Sequence, residues 1–404
     1  MLKSKVGYST LTDSFEAGKE AMEMAIAGLN GKIAFMFSSV AYDQEKLMEG
    51  VKSVSETVPV VGCTSSASII VPDGILNNET GYVGIMILDD PDMEVVSMCS
   101  ERGESPRETG RKVAISLMEK ANMDFAPDYF FMSANPAEEE AYIKGIQDVI
   151  GRVPCFGGSA ADNDVSGKWS LFGDETIVND GVAVAFIYTD KKVSNVYTGA
   201  YKETKDMGVI TKVKNNRVLM EIDGEPALEK YAKWRGMKTD DLMDNNLLVA
   251  TILSPLGVKD RLGSLTAIRH PMVGNKDLSM NIGANLAEGT AVIRMEATVD
   301  ELIDSVGKTL KETKKGLDDP AAYLLVHCGG RALGIGDRLN EVYEAIKKEV
   351  KDVPFIVAFT FGEYGSGDDQ ADTTGGLMLS FTGFDKWLRW CKIEKFNWKK
   401  LDGC

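Results

Sequence analysis

The chain is 404 residues long, 44% hydrophobic and 26% charged, enough for two or three domains with ordinary apolar cores. Its 45 basic against 61 acidic residues leave a net charge of −16, which repels phosphate backbones and argues against a nucleic-acid partner. Only two histidines, His270 and His327, are present, so a His-rich metal centre is excluded and a histidine triad is disfavoured.

The first periodic stretch, 14–29, reads as a helix and leads to a short apolar strand at 33–38. An acidic helix start, an amphipathic helix, Val58-Pro59 and a second strand follow, ending in the small-residue loop Gly62-Cys63-Thr64-Ser65. A Gly-led strand at 81–88 closes the unit. The same order returns with a helix at 109–123, a strand after Asp128, a helix, Val153-Pro154, a strand, the loop Gly157-Gly158-Ser159 and a Gly-led strand at 181–188. At an offset of 95, Ser38 falls on Ser133, Pro59 on Pro154, Gly62 on Gly157 and Thr64 on Ser159. The closing strands are offset by 100, so the second copy carries about five extra residues in its loop.

From 193 the texture changes. Residues 193–224 are β-rich, with a hairpin turning at Asn215-Asn216, residues that tolerate positive φ. A short helix starts at Glu225-Pro226, and strand candidates lie at 248–253, 264–269 and 290–296. A third copy then runs through a helix at 299–317, a strand at 323–328, a loop and helix, Val353-Pro354, a strand at 355–360, Gly362-Glu363-Tyr364-Gly365 and a Gly-led strand at 375–381. Wholly apolar strands predict a mostly parallel sheet covered by helices on both faces. The Gly-rich loops then sit at the C-terminal strand ends, where open α/β sheets bind ligands. The expected fold class is α/β, in two domains. One is 1–192, duplicated at about 1–95 and 96–192; the other is 193–404, with a β-rich α+β insertion at 193–298, the third unit at 299–383 and a tail.

The chemistry available is sparse. The six cysteines (Cys63, Cys99, Cys155, Cys328, Cys391 and Cys404) include no C-x-x-C pair. The N-terminal stretch lacks the apolar core of a secretory signal, and no apolar run approaches the roughly 18 residues of a membrane helix. A cytoplasmic protein with free thiols is expected. Cys63, Thr64 and Ser65 form one candidate ligand loop, and Gly157, Gly158, Ser159 and Asn163 a second; each also reads as a plain turn. Neither is a Walker or a dinucleotide-binding motif. Arg331, after Cys328-Gly329-Gly330, suits a carboxylate, and Glu363, between Gly362 and Tyr364, suits an amine; together they would match both ends of an amino acid. Cys63 or Cys328 as a nucleophile would define an enzyme, and His270 could ligate haem. Asp368, Asp369 and Asp372 form an acidic cluster without EF-hand spacing, better read as a solvated loop.

The segments PVVGCTSSASI, PCFGGSAADN, VITKVKNNRVLMEIDGEPALEKY, CGGR and FTFGEYG, in that order, resemble the FIST sensory module with its N-terminal and C-terminal halves, from about Lys32 to Gly383. The resemblance implies an intracellular sensor of a small molecule, an amino acid among the candidates, with haem-based nitric-oxide sensing as the alternative. FIST modules often sit beside kinases, cyclase-type output domains or chemoreceptor domains. This chain shows none, so a separate signalling partner, such as a kinase or chemoreceptor component, is implied. The stretch 369–376 lacks the His-Asn type residues common in the family before the last strand, which would alter ligand preference.

Overall fold

The computed structural model describes residues 1–259, 266–366 and 372–388. Three α/β units share one topology, and a β-rich insertion interrupts the third. Each sheet has six strands, and in each only the central pair is parallel: Ile33–Ser38 with Val60–Thr64, Tyr129–Ala134 with Cys155–Gly158, and Pro320–Cys328 with Phe355–Thr360. A closing strand (Val83–Asp89, Gly181–Tyr188 or Leu379–Leu388) pairs antiparallel with the first of these, and an edge strand (Lys3–Ser9, Glu94–Glu101 or Lys191–Thr198) pairs antiparallel with the closing strand. The expectation of mostly parallel sheets is therefore corrected. Strands buried on both faces have the same apolar composition whether their neighbours run parallel or antiparallel.

The sixfold order is completed by exchange. Between its second parallel strand and its closing strand, each unit extends a hairpin into another unit's sheet. The hairpin Ile69–Val71 and Gly74–Leu76 of unit one lies against Phe355–Thr360 of unit three. That of unit two, Leu171–Gly173 and Thr176–Val178, lies against Val60–Thr64 of unit one. That of unit three, Glu363–Ser366 and Asp372–Gly375, lies against Cys155–Gly158 of unit two. The loans close a ring, so no unit completes its sheet alone. The extra residues expected in the second copy fall in this excursion.

Each unit stacks a helix pair on one sheet face. Helices Ser14–Ile26 and Gln44–Val54 start at Asp13 and Asp43, whose side chains accept from Glu16 N and Lys46 N. The pairs of units one and two approach to backbone contact through glycine. A Cβ at Gly50 would lie 2.0 Å from Phe15 O, and one at Gly145 2.0 Å from Arg107 O. The opposite sheet faces turn inward onto one shared core. Alternation sends Ile33, Phe35 and Phe37 inward and Ala34 and Met36 toward the helices. Phe35, Phe131, Phe156 and Phe384, from all three units, meet there; Phe35 and Phe131 stand edge to face at 5.2 Å. Each such buried ring stabilises by about 1.5–3 kcal/mol.

The insertion lies between the edge strand Lys191–Thr198 and helix Val299–Lys315. Its antiparallel sheet runs Thr266–Arg269, Leu256–Lys259, Ala291–Glu296, Lys202–Lys214, Val218–Ile222, Met280–Ile282, Pro271–Gly274. The two end strands are joined by His270 alone, so the sheet curls nearly into a barrel around Ile210, Leu219 and Tyr231. The hairpin turn is as expected, with Asn215 at φ 51° and Asn216 at φ 57°. The run 248–253, expected as a strand, falls instead largely within helix Asn246–Thr251; a six-residue apolar run has no period to separate the two. The start of the 264–269 candidate lies outside the described residues. Among the described residues no helix is long and apolar enough to cross a membrane.

Candidate functional site

A cavity of about 500 Å³ opens where the three units and the near-barrel converge. Unit one contributes Ser66, Ala67 and Ser68; unit two Pro136, Ala137, Asn163, Val165 and Trp169; unit three Cys328, Gly329, Gly330 and Phe361; the barrel Arg217, Leu248, His270 and Met272. Its wall at Cys328 is also not the loop expected. Gly329–Ile335 is a short helix directly following the buried strand. Gly329 and Gly330 are closely packed here: a Cβ on Gly329 would lie 3.1 Å from Ser66 Cβ, and one on Gly330 would lie 3.0 Å from Leu377 Cδ2.

The wall is built under strain. Ala67 at φ 57°, Ala137 at φ 84° and Val165 at φ 59° all hold the left-handed conformation that non-glycine residues avoid, a β-branched one most of all. The loop carrying Val165 is wound around a buried carboxylate. Asp162 accepts from the backbone N–H groups of Asp164 at 3.2 Å, Gly167 at 2.7 Å and Lys168 at 2.9 Å, and from Val165 as well. Asn163 Oδ1 accepts from Ala67 N at 2.8 Å, tying this loop to unit one. Trp169 stands edge-on to Phe361 at 6.3 Å.

On the barrel side, Arg217 bridges to unit two. Its Nη1 donates to Gly283 O at 2.8 Å, and its Nη2 bonds Glu140 and lies 3.5 Å from Glu139. Asn285 N donates to Glu140 at 3.0 Å. Glu139 is fully buried, and burial together with the neighbouring Glu140 charge pushes its pKa up to about 7.

Of the residues expected to bind ligand, Asn163 and Cys328 line the cavity. The rest form the joints beneath it. Thr64 Oγ1 accepts from Ser170 N at 3.0 Å, and Ser65 Oγ accepts from Phe359 N at 2.8 Å. Ser159 N donates to Gly362 O at 2.8 Å, and its hydroxyl bonds Tyr364 OH at 2.5 Å. Gly158 pairs with Glu363. Gly157 sits where a Cβ would lie 2.0 Å from Met132 O, and Cys63 is in the shared core. Arg331 and Glu363 are fully buried and do not line the cavity. Arg331 donates to Leu302 O at 2.9 Å and Ser305 Oγ at 2.6 Å; Glu363 accepts from Thr360 Oγ1 at 3.0 Å and Met378 N at 2.9 Å. A paired grip on the two ends of one amino acid is therefore not what their geometry offers. The small-residue motifs mark where units join, and the cavity forms above those joints. Of the other lining residues, Phe361 and Arg217 fall within the FTFGEYG and hairpin segments without having been singled out there, whereas Trp169 and Leu248 lie outside all the family-like segments.

The thiols are poorly placed for nucleophilic work. Burial pushes Cys63 up to about 12 and Cys328 higher still, so both stay protonated near neutrality. The histidines do not fit haem through Nε2. His270 Nε2 donates to Leu248 O at 3.1 Å, and His327 is buried beside Phe359, off the cavity wall. Burial lowers the two pKa values to about 4 and about 3, keeping both rings neutral. Among the described residues no group of three or more potential metal ligands forms. Asp368 and Asp369 lie outside the described residues; Asp372 accepts from Cys155 N at 3.0 Å and pins the exchanged hairpin.

A ring of three α/β units with a near-barrel insertion thus encloses a ligand-sized cavity with left-handed backbone in its wall. Family models place the chain further: the FIST N domain matches residues 32–225 and the FIST C domain residues 227–366. The chain belongs to the FIST family of sensory domains. No match is found among curated proteins.

Proposed function

We propose that this protein is a small-molecule sensor whose ligand occupies the cavity at the junction of the three units and the barrel, and that it signals through a separate output protein, such as a kinase or chemoreceptor component. The cavity carries the reading. Its volume suits a metabolite, it is walled by four parts of the chain, and occupancy would alter how those parts sit on one another. Family membership supports the sensory role. A cytoplasmic location accords with this reading and with the buried thiols Cys63, Cys99, Cys155 and Cys328, all unpaired.

Thermal shift across a metabolite panel that includes the amino acids tests it. At least one compound should raise the melting temperature, by about 2.7 kcal/mol of added stability at a hundredfold excess over Kd. Ala332 and the exposed Leu333 also line the cavity; the rise should vanish in Ala332→Trp, whose larger side chain would take up cavity space, and shrink in Leu333→Trp, and unliganded melting curves establish that each variant folds. A compound that stabilises the wild type and Ala332→Trp equally would place the site elsewhere.

A further inference from the structure

The chemistry of the cavity wall narrows the ligand. Trp169 and Phe361, from different units, present ring edges and faces, and Leu248, Met272 and Leu333 continue the apolar surface. Polar side chains are few, chiefly Ser66, Ser68, Asn163, Arg217 and His270, and none of them is anionic. Arg217 keeps its Nε–H without a partner among the described residues, since its bonds run from Nη1 and Nη2. Asn163 spends Oδ1 on Ala67 N, and its amide N–H groups have no partner among the described residues. Among the described residues no aspartate or glutamate lines the cavity. Glu139 and Glu140 lie behind Arg217 and are engaged with it. His270, the imidazole in the wall, is kept neutral by burial.

A bound ammonium group would enter this space with no carboxylate to meet it, and an unpaired buried charge is strongly unfavourable. A carboxylate would meet unspent N–H donors, and charge-assisted hydrogen bonds of that kind are the strong ones. A ring would stack against Trp169 or Phe361. We propose that the ligand is a predominantly apolar, ring-bearing monocarboxylate without an ammonium group. This rests on the cavity being the ligand site.

Matched pairs test the proposal on the wild-type protein. 3-Phenylpropionate and phenylalanine differ only in the α-ammonium group, as do indole-3-propionate and tryptophan. Titration calorimetry should give each des-amino acid at least roughly tenfold tighter binding than its amino acid. Asn163→Asp, which keeps an oxygen to accept from Ala67 N but removes the amide N–H groups and adds a negative charge, should weaken the carboxylates severalfold and weaken indole, a ring compound without the carboxylate, much less. Amino acids binding as tightly as their des-amino partners, with that binding lost in Ala332→Trp, would overturn the ligand class and leave the cavity reading standing. No binding of any of these compounds, together with no cavity-dependent stabilisation across the wider panel, would overturn both.

Discussion

Glu363 shows how one residue is set by its surroundings. It begins the exchanged hairpin of unit three, and its carboxyl is enclosed by Thr360 and Met378 N. Burial pushes its pKa up to about 8, so the folded state holds a proton that the unfolded chain releases near 4.5. Between those values the native state binds more protons, and stability falls as pH rises. Glu139 acts in the same direction up to about 7. The two buried histidines act oppositely, but only below their ordinary value of 6.5. The melting temperature should therefore fall between pH 6.5 and 8. Glu363→Gln, which mimics the protonated acid, should remove much of that slope while matching the wild type near pH 6. An unchanged slope in the variant would show that Glu363 is ionised throughout.

At the scale of an element, the loop 162–169 is ordered by one carboxylate. Asp162→Ala would leave several backbone N–H groups without their acceptor, and such bonds to a charged group are worth about 1.5–3 kcal/mol each. The variant should lose hydrogen-exchange protection at 164–168 and bind cavity ligands roughly tenfold more weakly. Asp162→Asn should recover part of both. Protection and affinity both unchanged would mean that the loop holds its shape without this anchor. Elements differ in how far the sequence declares them. The Gly62 and Gly157 match at an offset of 95 was legible because no side chain fits there. The strand at 129–134 and the turn at Asn215-Asn216 were legible from composition and positive-φ tolerance. The hairpins at 69–76 and 171–178 were not, because their strands are three residues long and their partners lie in another unit. The site suffered likewise. Local motifs report contacts near in sequence, whereas Arg217 and Trp169 reach the cavity from separate segments.

At the scale of the molecule, the ring of exchanged hairpins makes each unit's sheet depend on another unit. Phe35, Phe131, Phe156 and Phe384 bind the same units through one core. Such a chain should unfold as one cooperative body despite its length. A calorimetric scan should show a single main transition, with fluorescence and circular dichroism midpoints coinciding; a separate early melt of residues 1–190 would contradict the interlock. The same interlock would let a ligand at the junction act on every unit. The most direct test is hydrogen exchange with and without a saturating amount of the panel compound that raises the melting temperature most. Protection should rise together at 66–68, 163–169, 270–283 and 328–336, four of the segments that line the cavity and between them drawn from all three units and the barrel. Protection confined to one unit, or appearing only away from these segments, would contradict the cavity as the sensing site.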